Sequence, residues 1–107
     1  MSSLKEGGKR SNGEVRVRLG KLRCRVREGT FADERSVVIN AGDAVYTTFA
    51  DLKDVHTDVP PTAGTEVDGF LAVRVLPQRS GEKVLVALPR DTFSSGSRIY
   101  VDKGLVV

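Results

Sequence analysis

Apolar and polar residues alternate along most of the chain, and a period of two is typical of half-buried β-strands. The first alternating stretch begins at residue 14. Its apolar residues occupy odd positions and then even ones: Val15, Val17, Leu19, Leu22, Cys24 and Val26. A shift of one residue turns all later side chains to the opposite face unless a bulge or a turn absorbs it, and Gly20 permits either. We therefore expect two short strands here, or one strand bulged at Gly20.

Six further segments carry strand signals and are separated by turn-forming residues. They are residues 36–40, 44–49, 67–76, 83–88, 98–101 and 105–107. Helical spacing occurs only in residues 48–56, a segment too short to determine the fold. Short strands at close spacing predict an all-β fold, either a single small β-barrel or a two-sheet sandwich.

The two ends of the chain differ in how their strands are patterned. Residues 83–88, KVLVAL, are apolar on both faces, which predicts a strand in the middle of the structure. The N-terminal strands have Arg at alternate positions and therefore one wet face. We expect them at the periphery of the sheet.

A chain of 107 residues fits one domain with one core, which we place at residues 14–107. Residues 1–13 are rich in Gly, Ser, Lys and Arg, the composition of a flexible N-terminal arm. The chain has no apolar run of about 18 residues and no secretory leader pattern. We expect no membrane partner, and a cytoplasmic location unless the protein belongs to a larger particle.

Charge is segregated along the chain, although the net charge is only +3. Residues 1–28 carry nine Lys and Arg against three acids, whereas residues 29–68 carry two against eight. Complementary blocks of this kind pair within one subunit or between neighbouring subunits. The basic character of the whole chain is therefore weak evidence for a nucleic-acid partner.

No catalytic, metal-binding or cofactor-binding constellation is apparent. His56 is the single histidine and lies in an acidic loop, without the partners of a hydrolase triad. Cys24 is the single cysteine, and its phase with Leu22 and Val26 predicts a buried thiol. One His and one Cys cannot supply an N/S metal site, and no phosphate-binding loop motif occurs. We predict a protein that is not an enzyme and needs no cofactor.

The basic residues of the arm and of the first strands are the candidate partner-binding residues: Lys5, Lys9, Arg10, Arg16, Arg18, Lys21, Arg23, Arg25 and Arg27. The candidate acidic counter-surface comprises Asp51, Asp54 and Asp58. One hypothesis makes the basic stripe an exposed structural face or a protein interface, whose counter-charges lie in the acidic block. The alternative is a small β-barrel that binds nucleic acid through the Arg/Lys face of residues 16–27. Residues 14–28 contain no aromatic platform for bases, so we favour the first hypothesis.

The C-terminal part of the chain reads GDAVY at residues 42–46, GEKVLVAL at 81–88 and SGSRIYVDKGLVV at 95–107. Over residues 42–107 this pattern resembles the small β-barrel decoration, or cement, proteins of tailed-phage capsids. The resemblance implies a non-enzymatic structural protein of a virion, which binds and stabilises a shell through its arm and charged faces. Its partners would be capsid subunits or further copies of the chain.

Overall fold

The computed structural model describes residues 17–107, most of which lie in antiparallel β-strands. The strands are β1 (Arg18–Glu28), β2 (Glu34–Asn40), β3 (Val45–Asp51), β4 (Val55–His56), β5 (Val67–Ser80), β6 (Lys83–Thr92) and β7 (Gly96–Asp102). Two short 3-10 helices, Leu52–Asp54 and Lys103–Leu105, follow β3 and β7. The predicted arm, residues 1–13, lies outside the described residues.

The strands pair in the order β4-β5-β1-β2-β3-β6-β7, and an additional pairing of β5 with β6 closes the sheet. The closed part is a barrel of five strands, with β4 and β7 attached outside it. The predicted all-β class is confirmed, and of its two forms the structure is the β-barrel. Strand β6 pairs with β3, β5 and β7, so residues 83–88 do lie in the middle of the structure.

Alternate side chains of the barrel strands point inward and fill a core of small branched residues. The largest fully buried side chains are those of Leu22, Ile39, Leu71, Val26, Val37, Val86, Val101 and Thr48. Each buried Leu, Ile or Val stabilises the fold by roughly 1.5–3 kcal/mol relative to an exposed position. Cys24 belongs to this core with 8% of its surface exposed, which confirms the prediction of a buried thiol.

The expected shift of phase in β1 is wrong, because β1 is one continuous strand. Its register against β5 runs without interruption from Arg18 opposite Val75 to Val26 opposite Val67. The buried residues of the strand are Leu22, Cys24 and Val26, all at even positions, and Leu19 is left outside with 84% of its surface exposed. Gly20 takes the inward position because a Cβ there would lie 2.9 Å from Val75 Cγ2.

The peripheral placement of the N-terminal strand is also wrong, since β1 lies inside the barrel wall between β5 and β2. An alternating pattern shows only that one face of a strand is exposed. Because every strand of a closed barrel has an exposed outer face, the pattern does not distinguish a peripheral strand from one within the barrel wall. The part of β1 that does not pair with β2 is covered on that edge by residues at the C-terminal end of the chain. Lys21 and Val107 exchange backbone hydrogen bonds of 2.9 and 3.2 Å, and Val106 bridges to Leu22.

Two other segments differ from the expected pattern. The expected strand 105–107 is reduced to that bridge at Val106, after the second 3-10 helix. Residues 51–66, between the expected strands 44–49 and 67–76, contain the first 3-10 helix and the two-residue strand β4, whose Val55 and His56 pair with Leu71 and Phe70. No helix among residues 17–107 is long and apolar enough to cross a membrane.

Candidate binding face on strands β1, β4 and β5

Three side chains lie side by side across three neighbouring strands on the outside of the barrel. Arg23 of β1 is opposite Phe70 of β5, and Phe70 is opposite His56 of β4. Directly opposed residues in a sheet place their side chains on the same face. Phe70 is half-buried, whereas Arg23 and His56 are exposed. We call Arg23, Phe70 and His56 the basic-aromatic row.

The Arg23 guanidinium lies over the ring of Phe70, with its central carbon 5.5 Å from the ring centroid. This is the distance range of a cation–π interaction, in which the negative face of the ring attracts the cation. Arg23 thus carries its charge directly above the aromatic surface. A flat ligand that stacks at this place meets both a π-face and a planar cation.

Two shallow clefts flank Phe70, and both also border on His56. The first has a volume of about 240 Å³ and is lined further by Arg23, Asp58 and Asp68. The second has a volume of about 250 Å³ and is lined further by Lys21, Lys53 and Asp54. The first cleft therefore has more carboxylates, and the second cleft has more ammonium groups.

Gly69 allows strand β4 to lie this close to β5. A Cβ at Gly69 would lie 2.8 Å from Val26 Cγ2 and 2.9 Å from the backbone oxygen of His56. Any other residue would push His56 away from its place beside Phe70. The glycine therefore fixes the geometry of the basic-aromatic row.

Part of the predicted basic stripe is neutralised by carboxylates of β5 and of the residue before it. Arg25 contacts Glu66 at 3.2 Å and also Asp68, while Arg27 contacts Glu66 at 3.3 Å. Hydrogen bonds to Asp68 and then Glu66 raise the pKa of Arg25 above its ordinary value. The acidic block and the stripe thus meet within one chain, through Glu66 and Asp68.

The basic side chains at the other end of the face have no such partners among residues 17–107. Lys21, Arg23, Lys53 and Arg74 form no ion pair with any residue in the range 17–107. Arg74 lies opposite Leu19, and Lys21 lies opposite Ala72, so these cations continue the face beyond Phe70. Arg18 occupies an even position of β1 and therefore lies on the opposite face of the strand from Lys21 and Arg23.

The predicted acidic counter-surface is not one cluster around the stripe. Asp51 lies 3.8 Å from Arg90, and Asp58 lies 3.4 Å from His56. Asp54 lines the cleft that contains Lys21 and Lys53. Lys5, Lys9, Arg10 and Arg16, the remaining candidate binding residues, lie outside the described residues.

An apolar patch adjoins the basic-aromatic row at the start of β1. Leu19 forms one wall of a cleft of about 430 Å³ whose other lining residues are Gly20, Lys21, Ala72, Val73 and Val107. Val107 is 62% exposed. We call these six residues the Leu19 patch. A large apolar side chain as exposed as Leu19, beside an apolar cleft, is typical of a binding surface.

Comparisons with protein families, with curated proteins and with solved structures find no match to this chain. The site must therefore be interpreted from its own chemistry. Within residues 17–107 no three His, Cys, Asp or Glu side chains lie together as a metal site would require. Burial raises the pKa of Cys24 to about 12, which leaves its thiol protonated and unreactive at neutral pH. The described residues offer surfaces for binding.

Reasoning from the sequence did not find the residues that give this face its character. It identified Lys21 and Arg23 but not Phe70, Lys53, Glu66 or Asp68. The alternation of residues 67–76 contained the needed signal for Asp68 and Phe70, because their even positions lie outside when Leu71 and Val73 lie inside. Only the pairing of β1 with β5 shows that they stand beside the stripe.

Proposed function

We propose that this chain is a non-enzymatic structural protein that assembles with further protein subunits, in the manner of capsid decoration proteins. The observation that carries the proposal is the Leu19 patch. It has an apolar centre at Leu19, Ala72 and Val107 and charged side chains, Lys21 and Arg74, beside it. An apolar centre with a polar rim is the usual anatomy of a protein interface.

The patch is suited to a second copy of the same chain. In a two-fold interface the same surface occurs on both partners and must fit itself. The Leu19 patch combines a protruding Leu with an adjacent apolar cleft, so Leu19 of each copy enters the cleft of the other. Burying each Leu contributes roughly 1.5–3 kcal/mol before the cost of association.

Virion decoration is the more specific form of the proposal. Support for it comes from the resemblance of residues 42–107 to tailed-phage decoration proteins and from the five-stranded barrel. A stiff barrel that binds a repeated surface stabilises a shell by mass action, without any catalysis. The location would then be the virion.

Sedimentation velocity of the full chain tests the assembly function. We expect an oligomer at concentrations of about 10–100 µM, and a monomer for Leu19→Ser, which removes the apolar protrusion. Val45→Ser is the matched control, since Val45 is also exposed, at 61%, and lies outside the Leu19 patch. A monomeric parent chain, or a variant Leu19→Ser that associates like the parent, would refute self-assembly through this patch.

Gradient sedimentation of lysates from cells that make the chain naturally tests the virion form. An antibody against the chain should detect it in fractions of large particles, and the detected particles should be shells in electron micrographs. Detection only in fractions of small mass would contradict the virion location. It would leave self-assembly to be judged by the sedimentation of the purified chain.

A further inference from the structure

The basic-aromatic row has a chemistry that assembly through the Leu19 patch does not use. We propose that Arg23, Phe70 and His56 form a binding site for single-stranded nucleic acid, with one base in each of the two clefts beside Phe70. Sequence-independent binding of single strands combines a basic surface with aromatic rings on which bases stack. Both components are present on the outer face of β1, β4 and β5.

The first argument is the position of the aromatic ring. Phe70 stands in the middle of the row, between Arg23 and His56, and borders on both clefts. A base in the first cleft meets the Phe70 ring, the guanidinium of Arg23 and the imidazole of His56, and a base in the second cleft meets the ring and the imidazole. Bases in a duplex are stacked on each other and cannot reach such a ring, so the site selects single strands.

The second argument is the distribution of charge around the ring. Lys21, Lys53 and Arg74 are the cations on the side of the second cleft, and they hold no ion pair with the described residues. They provide a path for the phosphates that follow a base in that cleft. Asp54 also lines this cleft and limits its positive charge.

The third argument is the presence of carboxylates in the first cleft. Asp58 and Asp68 line it together with Arg23, and Asp58 also contacts His56 at 3.4 Å. Carboxylates accept hydrogen bonds from the exocyclic amino groups of bases. They repel phosphate and acidic peptides, so a base occupies the first cleft and the backbone passes on the side of the second. This arrangement favours nucleic acid over an acidic protein segment.

Fluorescence anisotropy with labelled oligodeoxycytidylate and oligocytidylate of about 20 nucleotides tests the proposal on the full chain, because cytosine carries the exocyclic amino group that the carboxylates accept from. We expect binding in low salt that weakens by about 0.7 decades per decade of salt for each phosphate contacted. Phe70→Leu keeps an apolar side chain but removes the ring, and should weaken binding roughly ten-fold. Arg23→Ala should also weaken binding. A difference between the two probes identifies DNA or RNA as the preferred strand.

Matched controls separate this site from general attraction of a basic protein. Arg98→Ala and Tyr100→Ala change an arginine and an aromatic residue on β7, outside the row, and should leave the affinity unchanged. Leu19→Ser should still bind single strands, which distinguishes failure of this site from failure of self-assembly. Thermal unfolding shows whether Phe70→Leu is folded, and Arg23→Ala provides the test if it is not.

Three outcomes would overturn the proposal. The first is no binding of either probe up to about 100 µM at low salt. The second is an equal loss of affinity in Arg98→Ala and Arg23→Ala, which would show that the strand binds by general electrostatic attraction to a basic protein. The third is a duplex of the same length that binds as tightly as the single strand and loses the same affinity in the variant Phe70→Leu.

Discussion

The hydroxyl of Thr48 donates a hydrogen bond of 2.8 Å to the backbone oxygen of Asp91, although Thr48 is completely buried. This contact lies where β3 meets β6. The register between these two strands has one residue pair, Thr48 opposite Thr92. Backbone pairing at this join is much shorter than between β1 and β5. A side-chain hydrogen bond therefore reinforces the narrowest join of the barrel wall.

Replacing Thr48 by Val should destabilise the protein although the shape is preserved. The substitution removes the donor and leaves the backbone oxygen of Asp91 without this partner, at a cost of about 1 kcal/mol in the free energy of unfolding. Urea unfolding measures the change. Thr47→Val is the control, because Thr47 neighbours Thr48 but is only half-buried, and we expect a change within about 0.5 kcal/mol. Equal effects of the two substitutions would contradict the importance of the Thr48 contact.

Gly69→Ala should destabilise the protein by about 1–3 kcal/mol, because the new Cβ overlaps Val26 and the backbone of His56. The same change should displace β4 and alter the NMR signals of the His56 ring. Gly104→Ala is the control, since a Cβ there meets nothing within 4 Å. An Ala at position 69 that leaves both stability and the His56 signals unchanged would show that the close approach is not required.

The substitution Glu66→Gln should strengthen the binding of single strands. Removing this carboxylate frees Arg27 and takes away one of the two carboxylates that neutralise Arg25. The salt dependence should become steeper by about 0.7 decades per decade for each arginine that gains a phosphate. Glu82→Gln removes a carboxylate that pairs with Lys103 instead, and should have a smaller effect. Equal gains would indicate net charge rather than the freed arginines.

The stability of the protein should fall in alkaline solution as a consequence of the burial of Cys24. Its pKa rises from 9.0 to about 12 on folding, so between these values the unfolded state binds fewer protons than the folded state. The free energy of unfolding then falls with rising pH, by at most about 1.4 kcal/mol per pH unit from this thiol. Hydrogen bonding to Asp102 raises the pKa of Lys83, which adds a loss in the same direction above 10.5.

Denaturant unfolding between pH 8 and about 10 measures this effect. Cys24→Ala should show a shallower decline than the parent chain, although it is less stable at every pH because of the lost core volume. Thiol reagents should also label Cys24 slowly in the folded protein and rapidly after unfolding. Rapid labelling under native conditions, or parallel pH profiles of the two proteins, would contradict the assigned burial.

Much of the fold follows from local patterns. Alternation and turn residues located most of the strands, and the two apolar faces of residues 83–88 correctly indicated a central strand. Alternation failed at Leu19, because an exposed Leu in a strand has the same period as a buried one. Gly20 carries no side chain that could reveal which face is inside, so the contact of its position with Val75 had to be observed.

The candidate site was less accessible to sequence reasoning, because it depends on pairing between distant segments. Lys21 and Arg23 were evident as part of a basic stripe, and an acidic partner was expected in the middle block. Strand register determines which acidic residues of that block contact the basic stripe. Glu66 and Asp68 contact it, whereas Asp51 lies beside Arg90. The absence of aromatics in residues 14–28 counted against base stacking, yet β5 supplies Phe70 from outside that range.

The pairing of β1 with β5 also bears on how quickly the protein reaches its native state. Arg25 and Glu66, which meet at this join, are 41 positions apart in the chain. Hairpins such as β2 with β3 close over short distances, whereas the β1–β5 pair requires the loss of entropy of a long loop. Proteins dominated by such distant contacts fold in milliseconds to seconds. Until that slow step, Leu22, Val26 and Leu71 lack their partners across the barrel, and the chain is most exposed to aggregation.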